Sequence, residues 1–414
     1  HGTPNCRNRE CGAHRSTARI RTGDPLSLAH TQSRPTAYSC GPAFAASFRA
    51  AREDFRDGRD TPSAFLERFL DEIETQEPSL HAFVTLARDE ARLAAAQADT
   101  RYKAGNPLSA VDGLPIGLKD IIQTEGLPTQ SGSPIFTGWQ AERDSAVASA
   151  LRRGGAVLVG KTATTEFAYG AITPTRNPYD HNRTPGTSSS GSAAAVGAGI
   201  LPLAIGTQLM SSVLRPASYC GHVGVKPTYG AIRQDGIHPF SPSGEHVGAH
   251  AHALEDAWQT LRFLAQEAGP VPGSRGLTGP EDAPAATMPK RLLRMYTPGW
   301  ELADTSVRDA FETALDTLSN AGVSIVEPST VPELQAIEDD CARSDWCIAE
   351  IAAFEMRWPF FEYEKSGGEF HDRINKLLVR AHEITLEDYH LALEWKDGFR
   401  ARYLALSEQI DGVI

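Results

Sequence analysis

The hydrophobic positions of this chain recur at helical spacing in some segments and form short buried runs in others. Thr61 followed by Pro62 marks a helix start, because a threonine caps the first backbone amides and proline suits the first turn. The apolar face of that helix comprises Phe65, Leu66, Phe69, Leu70 and Ile73. The next segments predict a strand, a helix, a second helix and a second strand. They span residues 80–87, 88–105, 144–153 and 156–162, respectively.

The C-terminal third continues this alternation. Residues 307–318 place five apolar side chains on one helical face, and a strand over residues 323–328 follows. The proline- and glycine-rich segment 268–288 is predicted to be a surface loop. Strands alternating with helices predict an α/β fold with helices covering the sheet faces, in a single large domain. Residues 408–414 predict a helix running into a core strand, and we expect the chain to continue beyond them.

Residues 1–41 differ in composition from the predicted domain at residues 42–414. Arginine outnumbers the acidic residues there, among serine, threonine, glycine and proline. An arginine-rich, acid-poor start can be an organelle transit peptide, but no clear amphipathic face is present. We expect a disordered N-terminal extension, or sequence that merely precedes the natural domain.

Composition narrows the function classes. The chain has 414 residues, with 40 Lys or Arg against 52 Asp or Glu and a formal net charge of −12. Nucleic-acid binding needs clustered cations to displace counterions from phosphate, so this balance argues against such a partner. The six cysteines show neither zinc-ligand pairing nor the density of a disulfide scaffold. No apolar run reaches the roughly 20 residues of a membrane span. The sequence therefore predicts a soluble cytoplasmic protein without a membrane partner.

A serine-rich stretch, residues 185–218, carries the candidate chemistry. Its surroundings are too apolar for a flexible linker and predict a buried helix and strand. Small side chains leave room for a substrate, and the backbone amides of such a loop can face an anion. A serine hydroxyl needs a base before it becomes a good nucleophile. No GxSxG motif occurs, which argues against the α/β-hydrolase arrangement.

Lys119 is the candidate base. Apolar residues flank it on both sides, at 115–118 and 121–122, and place it at the end of an inside strand. Burial lowers the pKa of a lysine toward neutrality, so that the amine can accept a proton. A lone lysine is more often a surface residue, and Lys119 gains a catalytic interpretation only together with the serine-rich stretch.

Together these motifs resemble the amidase signature family. The likeness consists of GLPIGLKD around Lys119, PGTSSSGSAAAV from Pro185 and GTQLMSSVLRPASYCG from Gly206, then GVKPTYG, SPSGEHVG and ALEDAW in the same order. It is close over residues 111–258. The resemblance implies one α/β domain built around a large mixed central sheet, with helices on both faces.

By that resemblance, Lys119, Ser188 and Ser212 form a Ser-Ser-Lys triad that needs no cofactor and no metal. Lys119 would be the base, Ser188 the bridging serine and Ser212 the nucleophile that forms an acyl-enzyme. The family also implies a cis peptide bond between Thr187 and Ser188.

The chain departs from the family just before the expected nucleophile. The usual Thr-Gly-Gly is replaced by Leu209, Met210 and Ser211. By the resemblance, backbone N–H groups of this turn form the oxyanion hole. A side chain at either glycine position would be strained if that position required a positive φ.

Two further clusters allow a functional and a structural interpretation. His246, His250 and His252 have metal-like spacing, but they coincide with a predicted turn and helix start that need no metal in the family. The segment 341–363 predicts a core-facing helix whose shared face carries Cys347, Ile351, Phe354 and Trp358. The alternative is that this segment lines the substrate entrance and favours bulky apolar or aryl groups.

The sequence thus predicts a hydrolase that cleaves the C–N bond of a small-molecule amide or amide-like carbamate, aryl compounds included. Two alternatives stay open. One is the amidase subunit of a transamidation complex. The other is a catalytically weakened protein on the same fold, because of Leu209, Met210 and Ser211. The natural substrate and the oligomeric state are not fixed by the sequence, and a homodimer is among the open assemblies.

Overall fold

The computed structural model of the chain describes residues 47–330 and 332–414. The predicted N-terminal extension at residues 1–41 lies outside the described residues. The helices are α1 Phe48–Arg56, α2 Pro62–Leu80, α3 Arg88–Lys103, α4 Ala146–Arg153, α5 Ser190–Gly197, α6 Leu214–Tyr219, α7 Leu254–Glu267, α8 Thr297–Trp300, α9 Thr305–Asn320, α10 Pro332–Cys341, α11 Ser344–Glu355, α12 Arg357–Lys365, α13 Asp372–Glu383 and α14 Leu386–Leu406. The strands are β1 Phe83–Leu86, β2 Pro115–Lys119, β3 Val157–Thr162, β4 Leu203–Gln208, β5 Val223–Val225, β6 His246–Ala251, β7 Arg291–Leu293, β8 Ser324–Val326 and β9 Gly412–Val413.

The predicted elements of the N-terminal half are confirmed to within a few residues. Thr61 caps α2, since its hydroxyl accepts a hydrogen bond from the backbone N–H of Ala64 at 3.1 Å. Helix α3 ends just before Gly105, whose φ of +71° suits a residue without a side chain. Ser145 likewise caps α4. Local capping chemistry therefore sets these boundaries.

The central sheet is mixed, with strand order β1-β3-β2-β4-β6-β5. Strand β2 runs parallel to both of its neighbours, β3 and β4, while β1, β5 and β6 pair antiparallel. A strand with neighbours on both sides and helices above and below is shielded from water along its whole length. The last residue of β2 is Lys119, so the central strand delivers that side chain to the sheet's edge.

Side-chain alternation along the strands divides the core into two layers. Ile116 and Leu118 of β2 pack in a cluster with residues of α4 and α7. Val157 and Val159 of β3, together with Ala204 of β4, pack against α3 and α5 on the other face. Successive strand residues point to opposite faces, so each strand contributes to both layers. The prediction of a mixed sheet with helices on both faces is confirmed.

The sequence did not predict a second, smaller sheet in the C-terminal part. Strands β8, β7 and β9 pair in that order, all parallel. The segment predicted as a terminal strand is β9, whose Val413 lies opposite Leu293 of β7. No helix in the described part of the chain is long and apolar enough to cross a bilayer.

The single helix predicted over residues 341–363 is wrong. Helix α10 ends at Cys341, α11 covers Ser344–Glu355, and a further break falls at Trp358. Trp358 has φ −111° and ψ 127° and is 68% exposed, so it does not share a buried face with Cys347. The cause is Pro359, because a proline disfavours helical backbone in the residue before it.

Candidate active site

Lys119 is fully buried at the end of β2, as its apolar flanks predict. Its Nζ lies 2.6 Å from Ser188 Oγ. It also donates to Thr207 Oγ1 at 2.9 Å and to the Thr207 carbonyl at 3.4 Å. These contacts bring three chain segments together at the ends of β2 and β4.

Burial lowers the pKa of Lys119 to about 7, and the nearby charge of Glu245 opposes that shift. No carboxylate among the described residues forms an ion pair with this amine. Glu245 is itself buried, and burial raises its pKa to about 7, although it accepts backbone N–H bonds from Phe240 and Ser241. The amine at the centre of the site thus has no direct counter-ion, and a substantial fraction of it is neutral near pH 7.

Ser188 lies in the loop that leads into α5, and the Thr187–Ser188 peptide bond is cis, as expected. The Ser188 carbonyl accepts the backbone N–H of Thr165 at 3.2 Å. The neighbouring Ser189 hydroxyl donates to the Thr207 carbonyl at 3.2 Å. The small side chains of this stretch let the loop pack directly against β4.

Ser212 lies in the turn between β4 and α6 and is 8% exposed. The turn is braced by Gln208, whose Oε1 accepts the backbone N–H groups of Val213 at 2.9 Å and Leu214 at 3.0 Å. In the described part of the chain, no hydrogen bond joins Ser212 Oγ to Ser188. The structure therefore brings Lys119 and Ser188 into contact and places Ser212 on a separate, braced turn.

The turn Leu209–Ser211 carries its side chains without strain. None of these three residues has a positive φ. Strain at Met210 or Ser211 was expected only if one of these positions required a positive φ, and neither does. Met210 is 43% exposed, whereas the Leu209 side chain packs on an aromatic cluster that includes Phe240 and Phe360.

The sequence analysis missed two residues that surround Lys119, namely Thr207 and Glu245. Thr207 is the residue before the last in a fully buried strand, where a hydroxyl without an obvious partner was a usable signal. Glu245 stands in the SPSGEHVG motif, and its acidic side chain next to the buried strand β6 was a second signal. Neither signal identifies Lys119 as the group affected, because both interactions cross between segments that are distant in the sequence.

The predicted turn and helix start around His246 is also wrong, because His246–Ala251 is strand β6. Residues four apart on a strand lie about 13 Å from each other, so His246 and His250 cannot ligate the same ion. His250 instead lies 2.9 Å from the ring of His222. Among the described residues, no group of three or more His, Cys, Asp or Glu side chains is placed to hold a metal ion.

The family model named Amidase matches residues 64–391, which is most of the chain. The chain belongs to the amidase signature family. Its mixed α/β fold also matches that of solved amidase structures.

Similar proteins include proteins named as amidotransferase subunits and proteins described as amidases. A glutamyl-tRNA(Gln) amidotransferase subunit of Anaeromyxobacter sp. (strain K) is 37% identical over 287 residues, which cover 64% of this chain and 56% of the relative. A crystal structure described as an amidase is 26% identical with a TM-score of 0.72, covering 86% of this chain and 78% of the other. A structure described as a vestigial protein complex related to the origins of an s-triazine catabolic enzyme is 27% identical. Its TM-score is 0.73, and the match covers 87% of this chain and 79% of the other. This chain thus spans just over half the length of its curated relative.

Proposed function

We propose that this amidase-family protein hydrolyses the C–N bond of an amide through a serine acyl-enzyme, with Ser212 as nucleophile, Ser188 as proton relay and Lys119 as base. The observation that carries the proposal is the contact of 2.6 Å between Ser188 Oγ and a buried lysine whose pKa is lowered to about 7. A neutral amine in that position can accept a proton, which an ordinary lysine at neutral pH cannot.

The contacts of Lys119 suit a neutral amine. Such an amine has two N–H donors and one lone pair. The donors can bond to the Thr207 hydroxyl and carbonyl, which leaves the lone pair for the hydroxyl proton of Ser188. Ser188 would in turn accept the proton of Ser212 as that oxygen attacks the substrate carbonyl. The same relay would return a proton to the departing amine, and water would then release the acid.

The carbonyl oxygen becomes negative during this attack and needs hydrogen-bond donors. We assign that role to backbone N–H groups of the turn Leu209–Ser211, which precedes Ser212. Support comes from the unstrained backbone of the turn and from its bracing by Gln208. A single oxyanion-hole donor is typically worth about 2.7–4 kcal/mol of barrier.

The nucleophile is tested by comparing two adjacent serines. Ser212→Ala is expected to abolish labelling by a serine-reactive phosphonate, whereas Ser211→Ala should label and only change the rate. Intact-protein and peptide mass spectrometry measure the adduct and its position. An adduct on Ser211 would overturn the assignment, and no labelling of the unmodified protein would favour the catalytically weakened alternative.

For the substrate we propose a small amide or an amide-like carbamate, aryl compounds included. The proposal is supported by family membership and by the exposed apolar side chain of Met210, two residues before the nucleophile. The test is a hydrolysis panel of aryl amides, aliphatic amides, C-terminally amidated peptides and aryl carbamates. Ser212→Ala serves as the control, and turnover of none of the four classes would contradict this substrate assignment.

A second candidate function is the amidase subunit of a transamidation complex. It is favoured by the relatives named as glutamyl-tRNA(Gln) amidotransferase subunits, which match at 35–37% identity in the first two cases. That function would require release of ammonia from glutamine and a partner that handles tRNA. Glutaminase activity stimulated by a copurifying partner would support it. Hydrolysis of an aryl amide by the chain alone, without any glutaminase activity, would speak for the first function.

A further inference from the structure

A cavity of about 440 Å³ lies beside the catalytic turn and has no role in the proposed reaction. Leu209 forms part of its wall, and so do the segments 226–229 and 241–246. Helices α11 and α14 close it from the other side. A volume of this size is typical of small-molecule sites.

The charged side chains that line the cavity are all cations. Lys226, Lys396 and Arg400 line it, and no Asp or Glu does. The only ion pair of these three within the described ranges joins Arg400 to Asp397 at 3.9 Å, and both side chains are more than half exposed. A pair so exposed contributes little, so it does not neutralise the positive charge of Arg400.

The half-buried carboxylate of Glu355 lies against the cavity wall and already has hydrogen-bond partners. Glu355 of α11 accepts hydrogen bonds from the Ser241 hydroxyl at 2.9 Å and the Ser243 backbone N–H at 3.1 Å. Its second oxygen accepts from the Tyr389 hydroxyl at 2.8 Å. These bonds tie the loop before β6 to α11 and α14. Glu355 thus holds the wall of the cavity together, and no ion pair within the described ranges links it to the three cations.

The side of the cavity formed by α11 and α14 is largely apolar and aromatic. Ile348, Ile351 and Phe399 line the cavity, and Trp395 stacks on Phe399 with ring centroids 5.5 Å apart. Two lining residues, Ser243 and Trp395, each carry a buried polar side-chain atom without a hydrogen-bond partner in the part of the chain that is described. Such orphaned groups are uncommon in folded proteins.

We propose that this cavity binds an amphipathic monocarboxylate, with its aryl or alkyl body among the apolar side chains and its carboxylate facing Lys226 and Arg400. Both cations line the cavity together with the ring of His246. Burial, and then the charges of Lys226 and Arg400, lower the pKa of His246 to about 4. The histidine is therefore uncharged at neutral pH, and the two cations supply the positive end of the site.

The cavity is in direct contact with the catalytic turn. Leu209 lines it and begins the turn that ends at Ser212. His246 also lines it, and its Nδ1 lies 3.3 Å from the carbonyl oxygen of Gln208, the residue that braces the turn. A bound carboxylate would therefore lie against Leu209 and His246, which contact the turn that positions the nucleophile.

The test is calorimetric titration of the unmodified protein with 4-phenylbutyrate and with 4-phenylbutan-1-ol, which has the same body without the charge. Neither contains a C–N bond, so binding is measured without turnover and independently of the proposed hydrolysis. We expect the carboxylate to bind at least about tenfold more tightly than the alcohol, and the Lys226→Met/Arg400→Met variant to remove that difference. Lys365→Met, which removes an exposed cation paired with Glu362, is the matched control and should leave binding unchanged.

Two further experiments test whether the ligand binds in this cavity. Ile348→Trp fills the cavity with a larger side chain and should abolish binding while thermal unfolding shows an intact fold. Protein that carries a phosphonate on the catalytic serine should still bind the carboxylate. Equal binding of acid and alcohol, unchanged binding in Lys226→Met/Arg400→Met, or loss of binding in the phosphonylated protein would each overturn the proposal.

Discussion

Two lysines are buried side by side in the central sheet, and their surroundings differ in one respect. Lys119 ends β2 and contacts only hydroxyl and carbonyl oxygens, from Ser188 and Thr207. Lys161 lies on the neighbouring strand β3, and its Nζ is 3.2 Å from the carboxylate of Asp120. Both side chains are completely buried.

Under the proposed mechanism, this difference separates a proton acceptor from a structural ion pair. Burial lowers the pKa of Lys119 to about 7 and that of Lys161 to about 8, where the charge of Asp120 opposes the shift. Lys161 also donates to Thr129 Oγ1 at 2.7 Å, and Asp120 accepts the backbone N–H of Gln130 at 3.0 Å. Burial alone does not make a lysine a base. It must also lack a carboxylate that would hold its proton.

The largest expected effect comes from removing each amine in turn. Lys119→Met should lower kcat/KM on the order of 10³-fold, because the proton acceptor is lost, while unfolding changes little. Lys161→Met should keep kcat/KM within about tenfold but destabilise the fold by about 3–5 kcal/mol, since it strands a buried carboxylate. Steady-state kinetics and urea unfolding of both variants measure the two effects. Equal loss of activity in both variants would show that Lys119 and Lys161 do not differ in catalytic role.

The next effect concerns the ion pair as a unit. Asp120→Asn/Lys161→Met removes both charges but keeps an acceptor for the N–H of Gln130. We expect it to recover most of the stability lost in Lys161→Met, because replacing a whole buried pair costs far less than breaking it. Urea unfolding of the single and double variants gives the coupling energy directly. A double variant as unstable as the sum of the singles would mean that the pair is not coupled.

The sequence predicts those features that depend on residues close together in the chain, and not those that depend on contacts between distant segments. The helix start at Thr61 follows from local capping chemistry. The buried position of Lys119 follows from its apolar flanks, and the spaced motifs indicate Ser188 and Ser212. These signals lie within a few residues of what they determine.

Interactions that cross between strands leave no comparable local signal. The register of β2 against β3 places Lys119 opposite Thr162 and brings Lys161 opposite Leu118. Only that register makes Asp120 a partner of Lys161 and leaves Lys119 without one. The sequence analysis missed the helix break at Trp358 for a different reason. The apolar spacing there is helical, and one proline outweighs it locally.

The pH dependence of the reaction also tests the comparison between Lys119 and Lys161, and its expected effect is smaller. As the pH falls through about 7, Lys119 becomes charged and can no longer accept a proton, so kcat/KM should fall about tenfold per pH unit below that value. Asp120, whose pKa burial raises to about 6, is another group that titrates in this range. The Asp120→Asn/Lys161→Met variant should therefore keep the acid limb near pH 7. A limb that disappears with this variant would assign it to the ion pair.

The smallest expected effect comes from Glu245, whose charge acts on Lys119 without contact. Because that negative charge raises the pKa of the amine, Glu245→Gln should move the acid limb of kcat/KM to lower pH. The shift should stay below about one pH unit, since the pKa of Glu245 is itself near 7 and only part of the population is charged there. Glu350→Gln is the matched control, because Glu350 is a buried carboxylate paired with Arg380. A shift to higher pH in Glu245→Gln, or an equal shift in the control, would show that Lys119 is not the group that titrates.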